Sequence, residues 1–430
     1  MDLLKSIFKG DKVIWIIFLC LCLISIIEGF SAASTLTYKS GDHWGPITQH
    51  SIILMVGAVV VVFLHNVPYK WFQVFPVFLY PISLVLLAFV TLMGIITGDR
   101  VNGAARWMTF MGLQFQPSEL AKMAVIIAVS FILSKRQDEE GANPKAFKYI
   151  MILTGLVLLL IAPENLSTAM LLFGVVFMMM FIGRVAAKKL LLLAGGLVLI
   201  VALGVGTVVA IPAKTLHNTP GLHRLETWQN RIKGFFDKDE VPAAKFDIDK
   251  DAQIAHARIA IATSHVVGKG PGNSIQRDFL SQAFSDFIFA IVIEEMGLIG
   301  GIFVVFLYLC LLMRAGRIAQ KCERTFPAFL VMGIALLLVS QAILNMMVAV
   351  GLFPVTGQPL PLVSKGGTST LINCAYIGMI LSVSRYTAHL EEQKEHDAQL
   401  QLQIETNAAD SEAQAAAEPT AQILNSDAKF

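Results

Sequence analysis

Acidic, cationic and hydroxyl side chains gather in three short stretches of this 430-residue chain, each beside an apolar run. The first is Gly98–Lys122, GDRVNGAARWMTFMGLQFQPSELAK, in which Pro117 suits the opening turn of a helix. Glu119 and Lys122 are three apart and so share a helix face. Two readings stand for the pair: an ion pair that compensates itself in apolar surroundings, or a cation held ready for phosphate with Glu119 orienting it. Just ahead, Arg106 offers a guanidinium, whose planar fork takes phosphate oxygens in pairs. Trp107 offers an indole that stacks on a sugar face or anchors the chain at a membrane interface.

The second stretch is Gly268–Gly301, GKGPGNSIQRDFLSQAFSDFIFAIVIEEMGLIGG. Its GKGPGNS turn resembles a phosphate loop only superficially, because the spacing is incomplete and no strand precedes it. Asp286 falls in the first turns of the following apolar run, among Phe284, Phe287 and Phe289. An apolar setting suits a carboxylate to general-base work, and a helix cap at Ser285 or Asp286 is the plain alternative. Glu294 and Glu295 come about 12 and 13.5 Å further along a helix, on other faces, where structural hydrogen bonding is the favoured role. In the third stretch, Phe353–Ser369 (FPVTGQPLPLVSKGGTS), three prolines exclude a regular helix. Irregular chain at a membrane must line a cavity or pack on protein. Thr356, Ser364 and Lys365 would bring hydroxyls and a cation to the amino end of the next helix, where backbone donors favour anions.

The elements that position these groups are set by composition. The chain is 55% hydrophobic and only 15% charged, with mean hydropathy +0.67. A soluble globule carries roughly 25% charged residues, so the sequence describes an all-α, polytopic membrane protein. Ten spans are expected, near 13–33, 47–65, 73–97, 117–134, 148–162, 166–183, 188–211, 284–313, 326–352 and 367–385. With the amino terminus inside, the inner segments hold sixteen lysines and arginines and the short outer loops only four, which fixes the orientation and puts both termini in the cytoplasm. Residues 1–12 form a cytoplasmic tail, and 13–387 the membrane domain. Residues 212–283 form a large extracytoplasmic loop between spans seven and eight, with ten basic and eight acidic residues. Ile254–Val267 within it has helical apolar spacing and should lie on the membrane surface or dock on the spans. From 388 to 430 a polar cytoplasmic tail is expected, a short helical extension and then disorder. The five cysteines imply no disulfide framework. A net charge of +2 gives no reason to expect nucleic acid.

Taken together, NGAARWM and QPSELAK at the fourth span, GKGPGNS and SDFIFAIVIEEMGLIG at the eighth, and PVTGQPLPLVSKGGTS before the tenth resemble the SEDS family of bacterial shape, elongation, division and sporulation proteins. The ten-span layout and the long loop match as well. There are departures. Where the family reads Pro-Asp-Leu-Gly-Thr-Ala, this chain has Pro163-Glu164-Asn165-Leu166-Ser167-Thr168-Ala169, and the family's Leu-Pro-Glu-Ala-His is here Leu280-Ser281-Gln282-Ala283-Phe284.

The resemblance implies a peptidoglycan glycosyltransferase of the bacterial inner membrane that polymerises lipid II on the outer face, with inversion at the donor carbon. It implies work in division and septal wall synthesis beside a class B penicillin-binding protein, other divisome proteins and the membrane lipids. On that reading Asp286 is the catalytic base, or alternatively the ligand of a divalent magnesium or manganese ion. Arg106, Trp107, Glu119, Lys122, Arg224, Arg231, Thr356, Ser364 and Lys365 form the substrate site. A lipid II flippase or other transporter, a non-catalytic scaffold, and an elongation-type member are the alternatives.

Overall fold

The computed structural model describes residues 9–40, 45–96, 107–110, 113–138, 141–211, 229, 252–280 and 283–427. Arg106, Arg224 and Arg231 lie outside the described residues, as does most of the long loop. Each of the ten expected apolar segments falls on a helix: α1 Lys12–Ser40, α2 Gly45–Asn66, α3 Phe75–Ile96, α4 Pro117–Lys135, α5 Pro144–Ile161, α6 Leu166–Ile182, α7 Ala187–Ala210, then α9 Ile288–Gln320, α10 Thr325–Ala349 and α11 Thr368–Asp427. Eight of these helices are long and apolar enough to cross a membrane. α6, at 17 residues, is a shorter apolar helix, and α11 joins an apolar first half to a polar extension.

Local signals place the helix starts. Pro117 opens α4, with Glu119 in its first turn and Lys135 in its last, matching the helix dipole at both ends. Asn143 caps α5 by accepting from the Lys145 amide at 3.0 Å, with Pro144 at the first position. That start is four residues earlier than hydropathy suggests, because Pro144-Lys145 reads as polar while being helical. Asn165, at the family's aspartate position, accepts from the Thr168 amide at 3.2 Å and caps α6. α9 begins at Ile288 instead of near 284, so Asp286 stands in the turn before the helix and not within its first turns. α8, Ala252–Ala262, is the amphipathic segment expected within the long loop; it buries Ala257 and Ala260 and docks on α9 and α10. α11 runs on to Asp427, well past a short extension, through a sequence rich in alanine, glutamate and glutamine, all good helix formers. From Glu391 to Ala408 it is exposed.

Burial sorts the bundle. In α4 and α10, 78% and 67% of the apolar window is buried inside the protein, against 6% in α7, so α4 and α10 are the central helices and α7 is peripheral. The central pair are the helices that carry Glu119, Lys122, Gln341 and Asn345. Two short antiparallel strands, β1 Met108–Phe110 and β2 Leu113–Phe115, lead into α4; the sequence reading missed them. All five cysteines are free.

Candidate active site

The three chemically loaded stretches meet at the amino-terminal ends of α4, α9 and α11. The irregular segment before α11 lies against the turn before α9. The Lys365 amide donates to the Phe284 carbonyl at 3.0 Å, and the Ser364 hydroxyl donates to the Ser285 carbonyl at 2.7 Å while accepting from the Leu360 amide at 2.7 Å. Ser364 is therefore a structural link beside Asp286. The Ser285 hydroxyl donates to Asp286 Oδ1 at 2.8 Å, and Asp286 itself is only partly buried.

Three side chains from the bundle hold the segment from the other side. Asn345 Nδ2 donates to the carbonyls of Asp286 at 2.9 Å and Gln358 at 2.8 Å. Gln341, one turn earlier on α10, donates to the Pro359 carbonyl at 3.0 Å. Gln358 Nε2 reaches the Thr168 hydroxyl on α6 at 2.7 Å. Such bonds are what irregular chain within a membrane protein requires, since each buried polar group left unpaired costs several kcal/mol in lipid. On the far side, the Ser25 hydroxyl donates to the Val363 carbonyl and bonds His50 Nε2, each at 2.8 Å.

Lys122 and Glu119 resolve into the first of their two readings. The Lys122 side chain is fully buried; its ammonium bonds Glu119 at 2.8 Å and the Gln341 side-chain oxygen at 2.9 Å. This cation is spent on protein. Through Gln341 it also braces the loop. Lys365 is different: it is half-exposed, burial draws its pKa below the ordinary lysine value, and no carboxylate pairs with it among the described residues. Thr356 is buried and its hydroxyl has no partner among the described residues. The same holds for Glu119 Oε2, Asn345 Oδ1 and Gln358 Oε1, so acceptor oxygens predominate around this turn. Trp107 is partly exposed ahead of β1, whose partner strand accepts from the Thr368 hydroxyl at the Gln114 carbonyl, 3.0 Å away. Glu164 lies partly exposed in the turn before α6.

The GKGPGNS turn has a structural occupation. α9 breaks at Gly297, where φ is +73°. The carbonyls freed at Glu294 and Glu295 accept from the Lys269 and Gly270 amides at 3.0 and 2.8 Å, and the freed amides of Leu298 and Ile299 donate to the His265 and Val266 carbonyls, both at 3.3 Å. The side chain of Glu295 accepts from the amides of Gly272 at 2.9 Å and Ser274 at 3.2 Å, and Glu294 accepts from Ile275 at 3.2 Å and from Lys269 Nζ at 2.6 Å. The turn does cradle an anion, but the anion is a pair of fully buried glutamates of its own chain. That is the structural role expected for Glu294 and Glu295. Among the described residues no three acidic, histidine or cysteine side chains converge as a metal site. A divalent ion at Asp286 would have this one carboxylate from the cluster, with substrate phosphates and water completing its shell.

Gln341, Asn345 and Gln358 escaped the sequence reading, which weighted ionisable groups in apolar surroundings. The available signal was the pair of neutral amides four apart on one face of α10, within an apolar span.

A polytopic helical bundle with a broken helix and proline-rich chain folded onto its central helices defines a membrane protein whose polar site is built at helix ends. The family described as "Cell cycle protein", FTSW_RODA_SPOVE, matches residues 11–389, and this chain belongs to it. Among similar proteins, the probable peptidoglycan glycosyltransferase FtsW of Trichlorobacter lovleyi is 32% identical over 377 residues, covering 87% of this chain and 93% of that one. Its counterpart in Halomonas elongata is 30% identical over 373 residues, covering 85% and 88%. A solved chain from a peptidoglycan synthase complex that coordinates polymerization and crosslinking superposes with TM-score 0.66 at 24% identity, covering 88% of this chain and 99% of that one. The Thermus thermophilus rod shape determining protein RodA gives 0.59 at 23% identity, with 88% and 97% covered. These two likenesses speak for the fold.

Proposed function

We propose that this chain is a peptidoglycan glycosyltransferase that polymerises lipid II at the outer face of the bacterial inner membrane, in septal wall synthesis. The observation that carries the reading is the meeting of the Asp286 turn with the Thr356–Lys365 segment, tied directly at the Phe284 and Ser285 carbonyls and, at Asp286 itself, through the bridging Asn345 side chain. A carboxylate and a cation that no carboxylate pairs among the described residues then share one partly buried turn at helix ends. Family membership and the names of the relatives support the activity.

The chemistry follows from those groups. The acceptor hydroxyl oxygen attacks the donor's anomeric carbon, and its proton passes to the Asp286 carboxylate. The bond from that carbon to the diphosphate oxygen breaks, its electron pair leaving with undecaprenyl pyrophosphate. Direct displacement inverts the carbon. Lys365, with backbone donors at the start of α11, stabilises the charge that develops on the leaving group. Arg106, Arg224 and Arg231 are further candidates for the diphosphate, and Trp107 for a sugar face. The acceptor oxygens of Thr356 and Gln358 suit sugar hydroxyls, which donate.

In this reading all ten helices span, both termini are cytoplasmic, residues 13–387 form the membrane domain, and 212–283 belong to the outer side. The tail from 388 to 430 faces the cytoplasm. A class B penicillin-binding protein supplies the crosslinking partner, with other divisome proteins around it. Purified protein, with and without that transpeptidase, should polymerise lipid II, and Asp286→Ala should lose the activity by about 100-fold or more. Full glycan synthesis by folded Asp286→Ala would remove Asp286 from the mechanism.

A further inference from the structure

We infer that Asn345 is a positioning residue for Asp286, an assignment that rests on the glycosyltransferase reading and adds to it the part that fixes the base. Asn345 is buried on α10, one of the two central helices. Its single carboxamide nitrogen spans two separate pieces of chain, donating to the Asp286 carbonyl ahead of α9 and to the Gln358 carbonyl of the irregular segment, at 2.9 and 2.8 Å. Both acceptors are carbonyl oxygens, so the orientation of the amide is dictated: only nitrogen can face them. Both of its N–H groups are thereby used.

The consequence is geometric. Asp286 precedes its helix, so no helical hydrogen bond ladder holds its carboxylate in place. Among the described residues, its backbone is held by the grip of Asn345 on its own carbonyl, together with the bonds of the neighbouring Phe284 and Ser285 carbonyls to Lys365 and Ser364. The same nitrogen sets the distance from Asp286 to the segment that carries Thr356 and Lys365. A base about 1 Å out of place costs around 100-fold in rate. Asn345 does not touch reacting atoms through this nitrogen; it acts through Asp286.

The test compares three variants, Asn345→Leu, Asn345→Asp and Asn345→Gln, in lipid II polymerisation by the purified full chain with its transpeptidase. Leucine keeps the volume and removes the donors. Aspartate keeps the shape and turns an oxygen toward the carbonyls, and glutamine restores the two donors on a longer stem. Asn345→Leu and Asn345→Asp should lose about 100-fold in kcat with KM for lipid II within about twofold of wild type, and Asn345→Gln should recover about tenfold over leucine. A purely structural role would not give this split, nor rescue by the carboxamide. The inference is overturned by near wild-type turnover in Asn345→Leu, by a loss confined to KM, or by equal impairment of leucine and glutamine variants. Failure of every variant to fold would also overturn it in favour of a plain packing role. An inactive wild type removes the glycosyltransferase reading and this assignment together; an active wild type with unimpaired Asn345→Leu removes only the assignment.

Discussion

Lys365 and Lys122 are both lysines in apolar surroundings, and their partners give them opposite duties. Lys122 is closed off with Glu119 and Gln341, so removing it strands a buried carboxylate. Lys122→Met should cost about 3–5 kcal/mol, and Glu119→Gln with Lys122→Met together distinctly less, as read from thermal unfolding in detergent. Lys365 keeps its charge available, and burial lowers its pKa. The anion-binding form is the protonated one, which is lost as pH rises, and here at a lower pH than for an ordinary lysine. Polymerisation should therefore fall on the alkaline side, and Lys365→Arg should move that limb to higher pH in a rate profile, because a guanidinium stays charged. Asp286 and Lys365 were legible in the sequence because ionisable groups beside apolar runs are conspicuous. Asn345 and Gln341 were not, because a neutral amide in a span raises little alarm until its partners, here carbonyls from distant chain, are known.

Among the elements, α9 departs furthest from its local sequence pattern. A continuous apolar run from Phe284 to Met313 reads as one helix, and nothing in hydropathy marks Gly297 as a break. The break exists because the chain at 265–270 supplies four backbone partners to the freed groups, a tertiary arrangement that local pattern does not contain. A Cβ at Gly297 would collide with the Val266 carbonyl and the Gly268 amide, and its positive φ disfavours any other residue. Gly297→Ala should thus cost on the order of 1–3 kcal/mol and loosen the turn, seen as faster proteolysis between Val266 and Asp278 in detergent. Helix starts at Asn143 and Asn165 had visible caps, whereas the β1 and β2 pair was hidden because each strand has only three residues.

For the molecule as a whole, the ten apolar segments and their order were readable from hydropathy, since a bilayer demands about 20 apolar residues per helix. Their burial was not: α4 and α7 have hydropathies of 1.6 and 2.5, yet the less apolar one is at the centre, where neighbours satisfy its polar groups. The proposed orientation makes a whole-molecule prediction. In a cysteine-free background, single cysteines at Arg184 and Lys394 should react with a membrane-impermeant thiol reagent only after the cell is opened, and one at Trp107 in intact spheroplasts. Reversal of that pattern would invert the topology. One further property follows from the clasp at Gly297. From His265 the chain runs to the turn that carries Asp286 and on through the first part of α9 to Ile299, and backbone bonds tie its two ends together. It is a closed ring, within which the turn that carries Asp286 is pinned by Asn345, Ser364 and Lys365. Insertions or deletions ahead of His265 leave the number of residues in that ring unchanged, and with it the length of chain between the clasp and Asp286.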